Sequence, residues 1–357
     1  MNVTVVICAY TLERWDQLCE AVGSCADQTL VPDEVVVVID HNEELFERAP
    51  VNVACARVIR NRSTKGLSGA RNTGVASTSG EAIAFLDDDA RAEPDWLAQL
   101  CVPLKDDDVA GVGGWIVPDW PGEPASWFPQ TYYWILGCSY AGLPETGATL
   151  RNPIGANMVL RRSVFDEVGG FTSGIGRIGK VPLGCEETEL CIRYTSARPE
   201  QRFVLTHEAV VHHRVPMSRL SWRYFRTRCW AEGVSKAAVS SLVGSRNGLS
   251  SERRHLLRAM PSEIGEVAAR APAPPAAIRD DDRADRHRRR HRGVRARPRS
   301  GGGAAHPDRA RRRRAPTAAL DEGGRGRAEP VRRLTRRIGW VDAQAAHGGR
   351  CATPRRG

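Results

Sequence analysis

The first hundred residues alternate between short apolar runs and helical stretches, and this alternation restricts the chain to few architectures. Residues 3–10 form an apolar run rich in β-branched side chains, which suits a central parallel strand covered on both faces. A helical pattern follows at 12–26, and residues 33–40 repeat the buried-strand pattern. Because strands that alternate with helices pair in parallel, the sequence predicts a Rossmann-like, mostly parallel α/β sheet with helices on both faces.

Further elements follow along the chain. The next predictions are a weaker strand at 53–59, a helix at 67–76, a strand at 81–86 and a helix near Pro94. The stretch 109–140 is rich in aromatic residues, prolines and glycines, and is either surface packed over the sheet or a platform for sugar rings. Beyond it we predict a strand at 154–160, a helix at 186–194, a strand at 209–213 and a helix at 218–239.

Three consecutive aspartates, Asp87, Asp88 and Asp89, follow the apolar run of the fourth strand directly. In an open α/β sheet, ligands bind beyond the carboxyl ends of the strands. Carboxylates there can hold a divalent cation, Mg²⁺ or Mn²⁺, against the phosphates of a nucleotide diphosphate. Two other aspartate triplets, at 106–108 and 280–282, follow no buried strand, so the position of this triplet is what indicates a site.

Other acidic residues occupy similar positions. Asp40 ends the second predicted strand, and Glu186 and Glu187 stand at a helix start. Each has an ordinary structural explanation, since Asp40 can end a strand in a turn and acids are favourable in first helical turns. A pair of acids becomes more informative beside a metal motif, because displacement of a metal-bound diphosphate by a hydroxyl group needs one carboxylate to deprotonate that hydroxyl.

Taken in order, these motifs resemble the family 2 glycosyltransferases, whose nucleotide-sugar-binding fold is called GT-A. The resemblance covers about residues 3–236, and it implies an inverting enzyme that moves a sugar from a nucleotide-diphosphate donor to a hydroxyl acceptor. A segment at 65–72 is similar to the family's Gly-x-x-x-Ala-Arg-Asn motif. The resemblance implies these donor-nucleotide residues: Ala9, Tyr10, Asp40, Gly66, Arg71, Asn72, Asp87 and Asp88.

The resemblance also implies a metal set and a sugar-binding strand. Asp87 and Asp89 match the Asp-x-Asp metal motif, and a histidine near the end of the late strand completes the coordination in many proteins of this fold. His212 and His213 are the candidates. Because successive strand residues face opposite sides, only one of them can point at the cation, and we favour His212. For donor or acceptor sugar the candidates are Gly155, Ala156, Asn157 and Trp230.

Glu186 and Glu187 match a Glu-Asp pair of the family, whose second acid is the catalytic base. The base position here holds Glu187 where aspartate is usual. Glutamate reaches about one methylene further and still accepts a proton, so both acids are catalytic candidates, with Glu187 favoured. Trp230 lies with Arg226 and Arg228 on the long helix, where they would clamp a pyrophosphate or a lipid phosphate, or simply form a basic amphipathic helix on the domain.

Composition divides the chain after about residue 260. We predict a GT-A domain at 1–260, with a nucleotide-binding half at 1–105 and an acceptor and catalytic half at 106–240. Residues 271–357 are rich in arginine, alanine, proline and glycine and are predicted to be a disordered basic tail. The net charge of +10 depends on arginine clusters in that tail, at 288–292 and 311–314. A change of reading frame in a GC-rich gene is an alternative origin for a tail of this composition.

The remaining features bear on compartment and partners. None of the ten cysteines forms a Cys-x-x-Cys pair, and neither a leader nor a membrane-spanning stretch is visible. We therefore expect a cytoplasmic protein that can contact the inner face of a membrane, uses a UDP-, GDP- or TDP-sugar and binds no specific nucleic acid. Two alternatives stay open: a sugar nucleotidyltransferase, which would need a glycine-rich loop after the first strand, and a non-catalytic protein whose tail binds nucleic acid.

Overall fold

The structure is a computed structural model that describes residues 1–53, 55–123, 127–177 and 183–244. The predicted tail at 271–357, with its arginine clusters and the aspartate triplet at 280–282, lies outside the described residues.

The first part of the chain builds a parallel sheet with helical connections. Its neighbouring strands pair in parallel in the order third, second, first, fourth. The strands are β1 (Val3–Ala9), β2 (Glu34–Ile39), β3 (Arg57–Arg60) and β4 (Ala82–Asp87), and the connecting helices are α1 (Trp15–Ala26), α2 (Glu43–Asn52) and α3 (Leu67–Ala76).

The second part of the chain extends the same sheet. Its strands are β5 (Ala90–Ala92), β6 (Val109–Asp119), β7 (Thr149–Leu150), β8 (Asn157–Arg161) and β9 (Arg202–Arg214), and its helices are α4 (Trp96–Cys101), α5 (Arg162–Val168), α6 (Glu186–Ala197) and α7 (Trp222–Val243). β8 runs antiparallel between β4 and β6, and β9 lies parallel to β6 and antiparallel to β5 and β7. Among the described residues the strand order is β3-β2-β1-β4-β8-β6-β9-β5, with β7 beside β9.

The sheet is covered on both faces. In β1, Val5 and Ile7 face one apolar cluster, which includes α1 and α4, whereas Val6 faces a second cluster with residues of α3, α5 and α6. This alternation follows from the strand pleat, which sends successive side chains to opposite faces. The predicted α/β sheet with helices on both faces is therefore confirmed, and its architecture is that of the GT-A fold.

Several elements differ from the sequence predictions. Helices α2 and α5 and strands β5, β6 and β7 have no counterpart among the predicted elements. Strand β6 lies in the glycine-rich stretch at 109–119, at the start of the region interpreted as irregular and aromatic-rich. The structure explains the glycines: a Cβ at Gly114 would lie 2.3 Å from the Ala209 carbonyl oxygen, so only glycine lets β6 approach its neighbour there. In the described part of the chain, no helix is both long enough and apolar enough to cross a membrane.

Candidate active site

The carboxyl ends of β1, β2 and β4 border a cavity of about 900 Å³, as expected for an open α/β sheet. Acids that lie far apart in the sequence, such as Asp89 and Glu187, line this one cavity. The predicted site residues that line it are Ala9, Tyr10, Asp40, Arg71, Asp87, Asp88, Asp89, Gly155, Ala156, Glu186, Glu187 and His213.

Other predicted site residues lie elsewhere. The side-chain amide of Asn72 exchanges two hydrogen bonds with the backbone of Phe171, at 2.8 and 2.7 Å. Asn157 is fully buried and accepts a 2.7 Å hydrogen bond from Nε1 of Trp96. Trp230 is 60% exposed on the outer side of α7. The structure thus gives the two asparagines contacts that hold elements together and places Trp230 on the surface.

The carboxylate of Asp40 organises the turn after β2. Its Oδ1 accepts a 2.7 Å hydrogen bond from Nδ2 of Asn61, and its Oδ2 accepts one of 2.9 Å from the backbone N–H of Gly66. Gly66 has φ of 122°, a conformation that favours glycine, and precedes the first residue of α3. Asp40 and Gly66 therefore fix the start of α3 beside the cavity. Sequence reasoning missed Asn61, whose position just after β3 was the available signal.

Asp87, Asp89 and His213 form a cluster that can hold a cation. Their ligand atoms all lie within 4.8 Å of one another. Nε2 of His213 lies 3.2 Å from Oδ1 of Asp89, yet this buried oxygen accepts no aligned hydrogen bond from the described residues. A buried carboxylate oxygen without a donor is costly unless a cation contacts it. Two carboxylates and an imidazole suit Mn²⁺ or Mg²⁺, so the residues fit a divalent cation.

Of the two histidines, the structure brings His213 to the acids, and not His212, which we favoured from the sequence. Nε2 of His212 lies 2.5 Å from Oε1 of Glu93, away from the cavity-lining residues. The alternation of side chains along β9 separates the two rings, as the sequence predicts; the choice between them depends on which face of β9 the cavity borders.

The cluster is strongly charged. Burial alone would raise the pKa of the Asp89 carboxyl, but the charges of His213, Arg14 and Arg219 outweigh burial and hold that pKa well below its usual range. Burial lowers the pKa of the His213 imidazole, yet Asp89 outweighs this effect and raises it to about 10. His213 must therefore release a proton before it can act as a metal ligand.

Arg14 is a site residue that sequence reasoning missed. Its Nη1 lies 2.7 Å from Oδ1 of Asp88 and 3.0 Å from Oδ2 of Asp89, and the side chain lines the cavity. Burial raises the pKa of the Asp88 carboxyl to about 7 although Arg14 opposes the shift. A basic residue in the turn after β1 was the only sequence signal, and it did not reveal the pairing.

The two adjacent glutamates have different surroundings. Oε1 of Glu186 lies 2.9 Å from Nη1 of Arg71 in a buried ion pair. Oε1 of Glu187 lies 3.4 Å from the backbone N–H of Gly155, and its Oε2 accepts no hydrogen bond from the described residues. Burial, and next the charge of Glu186, raise the pKa of Glu187 to about 8. Oε2 of Glu186 likewise accepts no hydrogen bond from the described residues, so what separates the two acids is that Arg71 pairs directly with Glu186.

Basic residues of α7 line another side of the cavity. Arg228 and Lys236 line it together with Glu232, whose Oε2 lies 3.0 Å from Nη1 of Arg228 and whose Oε1 lies 3.3 Å from Nζ of Lys236. Tyr132 and Trp134, from the aromatic-rich region, also line the cavity. The cavity therefore presents acidic, basic and aromatic surfaces, which a charged and ring-bearing ligand needs.

Comparisons with known proteins show the family to which the chain belongs. The sequence model described as Glycosyl transferase family 2 matches residues 4–169. The chain is 35% identical over 251 residues to the glucosyl-dolichyl phosphate glucuronosyltransferase of Haloferax volcanii, which covers 68% of this chain and 78% of that protein. It is 26% identical over 273 residues to the succinoglycan biosynthesis protein ExoM of Rhizobium meliloti, covering 70% and 82% of the two chains.

Among solved structures, the chain is similar to glucosyl-3-phosphoglycerate synthase from Mycobacterium tuberculosis in complex with Mn²⁺, uridine diphosphate and glucosyl-3-phosphoglycerate. The TM-score is 0.42 at 16% sequence identity, and the match covers 65% of this chain and 80% of that chain.

Proposed function

Because the chain belongs to glycosyl transferase family 2, it is an enzyme of sugar transfer, and we propose that it is an inverting, metal-dependent one. In this proposal a nucleotide-diphosphate sugar is the donor and a hydroxyl group is the acceptor. The observation that carries the proposal is that the unpartnered Oε2 of Glu187 shares one cavity with the Asp87, Asp89 and His213 cluster.

The metal set comprises Asp87, Asp89 and His213. A divalent cation bound to them supplies Lewis-acid stabilisation of the leaving diphosphate. Arg71 supports this set, since its Nη2 lies 3.6 Å from Oδ1 of Asp87. Oxygen and imidazole ligands suit both Mn²⁺ and Mg²⁺, and we propose one of these two ions.

Glu187 is the proposed general base. The acceptor hydroxyl oxygen attacks the anomeric carbon, its proton passes to Oε2 of Glu187, and the bond from the anomeric carbon to the diphosphate oxygen breaks with inversion. A base works best when its pKa lies near the working pH, and the pKa of about 8 for Glu187 meets this condition. Glu186, held by Arg71, fixes the helix turn that carries the base.

The donor nucleotide is proposed to lie along the ends of β1 and β2. Ala9, Tyr10 and Asp40 line the cavity there, and Gly66 and Asn72 act indirectly by fixing α3. The sugar is proposed to lie near Gly155 and Ala156, which also line the cavity; the side chain of Asn157 holds the strand behind them. We propose a UDP-, GDP- or TDP-sugar as the donor.

Similarity to a glucosyl-dolichyl phosphate glucuronosyltransferase supports a more specific acceptor. We propose that the acceptor is a sugar carried on a lipid phosphate, and that the enzyme works in the cytoplasm at the membrane face. The basic residues Arg228 and Lys236 on the cavity wall suit such an anionic acceptor.

The test uses the purified full chain with a panel of UDP-, GDP- and TDP-sugars and Mn²⁺. We expect donor hydrolysis or transfer with at least one sugar, and Glu187→Gln should slow it by at least about 100-fold while donor binding persists. The matched control is Glu20→Gln, an exposed acid on α1 that should leave the rate unchanged. Silence from folded protein across the panel, or full activity of Glu187→Gln, contradicts the proposal.

A further inference from the structure

An exposed aromatic and basic surface lies on the outer side of α7. We call it the α7 outer face and define it as Trp222, Arg223, Arg226 and Trp230 on the helix, together with Met217 in the turn that precedes it. Trp222 and Trp230 are each 60% exposed, and Met217 is 67% exposed. Trp222, Arg226 and Trp230 recur at every fourth residue, so their side chains lie along one stripe of the helix.

Exposure of such large apolar side chains in one area marks a contact surface. Trp127, from the aromatic-rich region, enlarges the area: it is 42% exposed and its ring lies 5.1 Å from that of Trp222. Phe225 packs beneath, with its ring 5.0 Å from that of Trp222. Trp127 and Trp222 are therefore held by ring contacts in an exposed arrangement.

The charge of the α7 outer face is positive. Arg223 and Arg226 are exposed, and neither guanidinium forms an ion pair or hydrogen bond with the residues that the structure describes. The acid on α7, Glu232, is turned toward the cavity and pairs with Arg228 and Lys236. A surface that combines exposed tryptophan with uncompensated arginine is complementary to lipid headgroups, where the indole rings lie at the interface and the guanidinium groups meet phosphates.

The α7 outer face is close to the cavity. Tyr132 lines the cavity, and its ring lies 5.2 Å from that of Phe225, which in turn contacts Trp222. Another side of the same helix carries Arg228 and Lys236 into the cavity wall. Helix α7 thus connects an outward apolar and basic surface to the site itself.

We propose that the α7 outer face docks on an anionic lipid bilayer and holds the cavity at the membrane surface. The proposal of docking depends only on the exposed residues of the α7 outer face and not on the proposed function. Its consequence, that a lipid-linked acceptor enters the cavity without leaving the bilayer, rests on the proposed function.

The test is cosedimentation of the full chain with vesicles of phosphatidylcholine, with and without phosphatidylglycerol. We expect binding to the anionic vesicles, and the double variant Met217→Ser with Trp222→Ser should weaken it by at least about tenfold. Arg226→Gln should weaken binding about fivefold, on anionic vesicles only. The controls are Val31→Ser with Val102→Ser, two exposed apolar residues elsewhere, and Lys105→Gln, and all should bind like the wild type.

Other occupants of this surface give different results. The arginine clusters at 288–292 and 311–314 are a second potential source of binding to anionic vesicles. If they alone bind the vesicles, the wild type and the Met217 and Trp222 double variant will bind equally, and this result overturns the proposal. Absence of vesicle binding, or a self-association that the double variant abolishes without vesicles, overturns it too. Binding of UDP with Mn²⁺, measured in solution on the same variants, should be unchanged; its absence from the wild type would contradict the proposed function and not the docking.

Discussion

Nη1 of Arg71 lies 2.9 Å from Oε1 of Glu186, which joins α3 to the first turn of α6 through a buried ion pair. The same guanidinium donates a 3.0 Å hydrogen bond to the Gly155 carbonyl oxygen and lies 3.6 Å from Oδ1 of Asp87. The buried guanidinium of Arg71 therefore links the aspartate-rich end of β4 to the acidic start of α6. The two chemical parts of the proposed site share this single positioning residue.

Arg71→Met should impair both stability and activity. Removing one partner of a buried pair leaves Glu186 uncompensated, which typically lowers the free energy of unfolding by about 3–5 kcal/mol. Urea denaturation measures this loss. The matched control is Arg57→Met, since Arg57 pairs with Glu34 near the surface and should cost less than about 1 kcal/mol. Equal costs for the two variants would show that the Arg71 pair does not organise the site.

The rate should rise with pH. Glu187 has a pKa of about 8, so kcat/KM for the donor should increase with a slope of one below that pH and level off above it. About one tenth of the base is ionised at pH 7, which predicts a rate about tenfold below the plateau. Steady-state kinetics between about pH 6 and pH 9 measures the profile. The control Glu20→Gln should give the same profile as the wild type. A wild-type rate that stays constant or falls as the pH rises contradicts the role of Glu187.

The same shift has a consequence for stability. The carboxyl pKa of Glu187 is raised in the folded state from its usual 4.5 to about 8, so the folded protein binds the proton more tightly than the unfolded chain. Its contribution to stability is fully present below pH 4.5 and is lost as the pH rises toward 8. Urea midpoints should therefore fall over this interval, and Glu187→Gln should flatten that fall. An unchanged slope in the variant would contradict the shift.

Metal binding should distinguish the two adjacent histidines. Titration of Mn²⁺ into the protein with UDP should show a Kd that His213→Ala raises about 10- to 100-fold. His212→Ala is the matched control, because its ring contacts Glu93 and not the cluster, and should leave the Kd within about twofold of the wild type. Chelation by EDTA should abolish transfer. The opposite ranking of the two variants would restore the sequence-based preference for His212.

Much of the fold could be predicted because its signals are local. Strand β2 and helix α3 follow from apolar runs and helical spacing, and the parallel order follows from their alternation. Asp87 and Asp89 could be predicted as site residues for the same reason, since a strand that ends in acids places them at the ligand-binding edge of the sheet.

The rest of the site depends on distant contacts. Arg14 and Arg228 line the cavity because of how the turn after β1 and helix α7 pack, which no local pattern specifies. Which of His212 and His213 meets Asp89 depends on the face of β9 that borders the cavity, and the β6–β9 pairing contains register shifts that a sequence pattern does not reveal. Asn72 was assigned to the nucleotide from its motif, yet its amide is engaged by the Phe171 backbone.

Gly155→Ala should reduce activity more than stability. A Cβ at this position would lie 2.5 Å from Nη2 and 2.9 Å from Nη1 of Arg71, so the guanidinium would have to move away from Glu186. Displacement of Arg71, a positioning residue, lowers the rate of the reaction. We expect kcat/KM to fall at least about tenfold while the circular dichroism spectrum is retained.

The matched control for this variant is Gly23→Ala in α1, where a Cβ would meet nothing within 4 Å. It should leave kcat/KM unchanged and raise the free energy of unfolding by about 0.5–1 kcal/mol, because alanine suits a helix interior better than glycine. If Gly155→Ala retains full activity, the position of the Arg71 guanidinium does not control the reaction, and the link between the metal cluster and the acidic pair has no catalytic role.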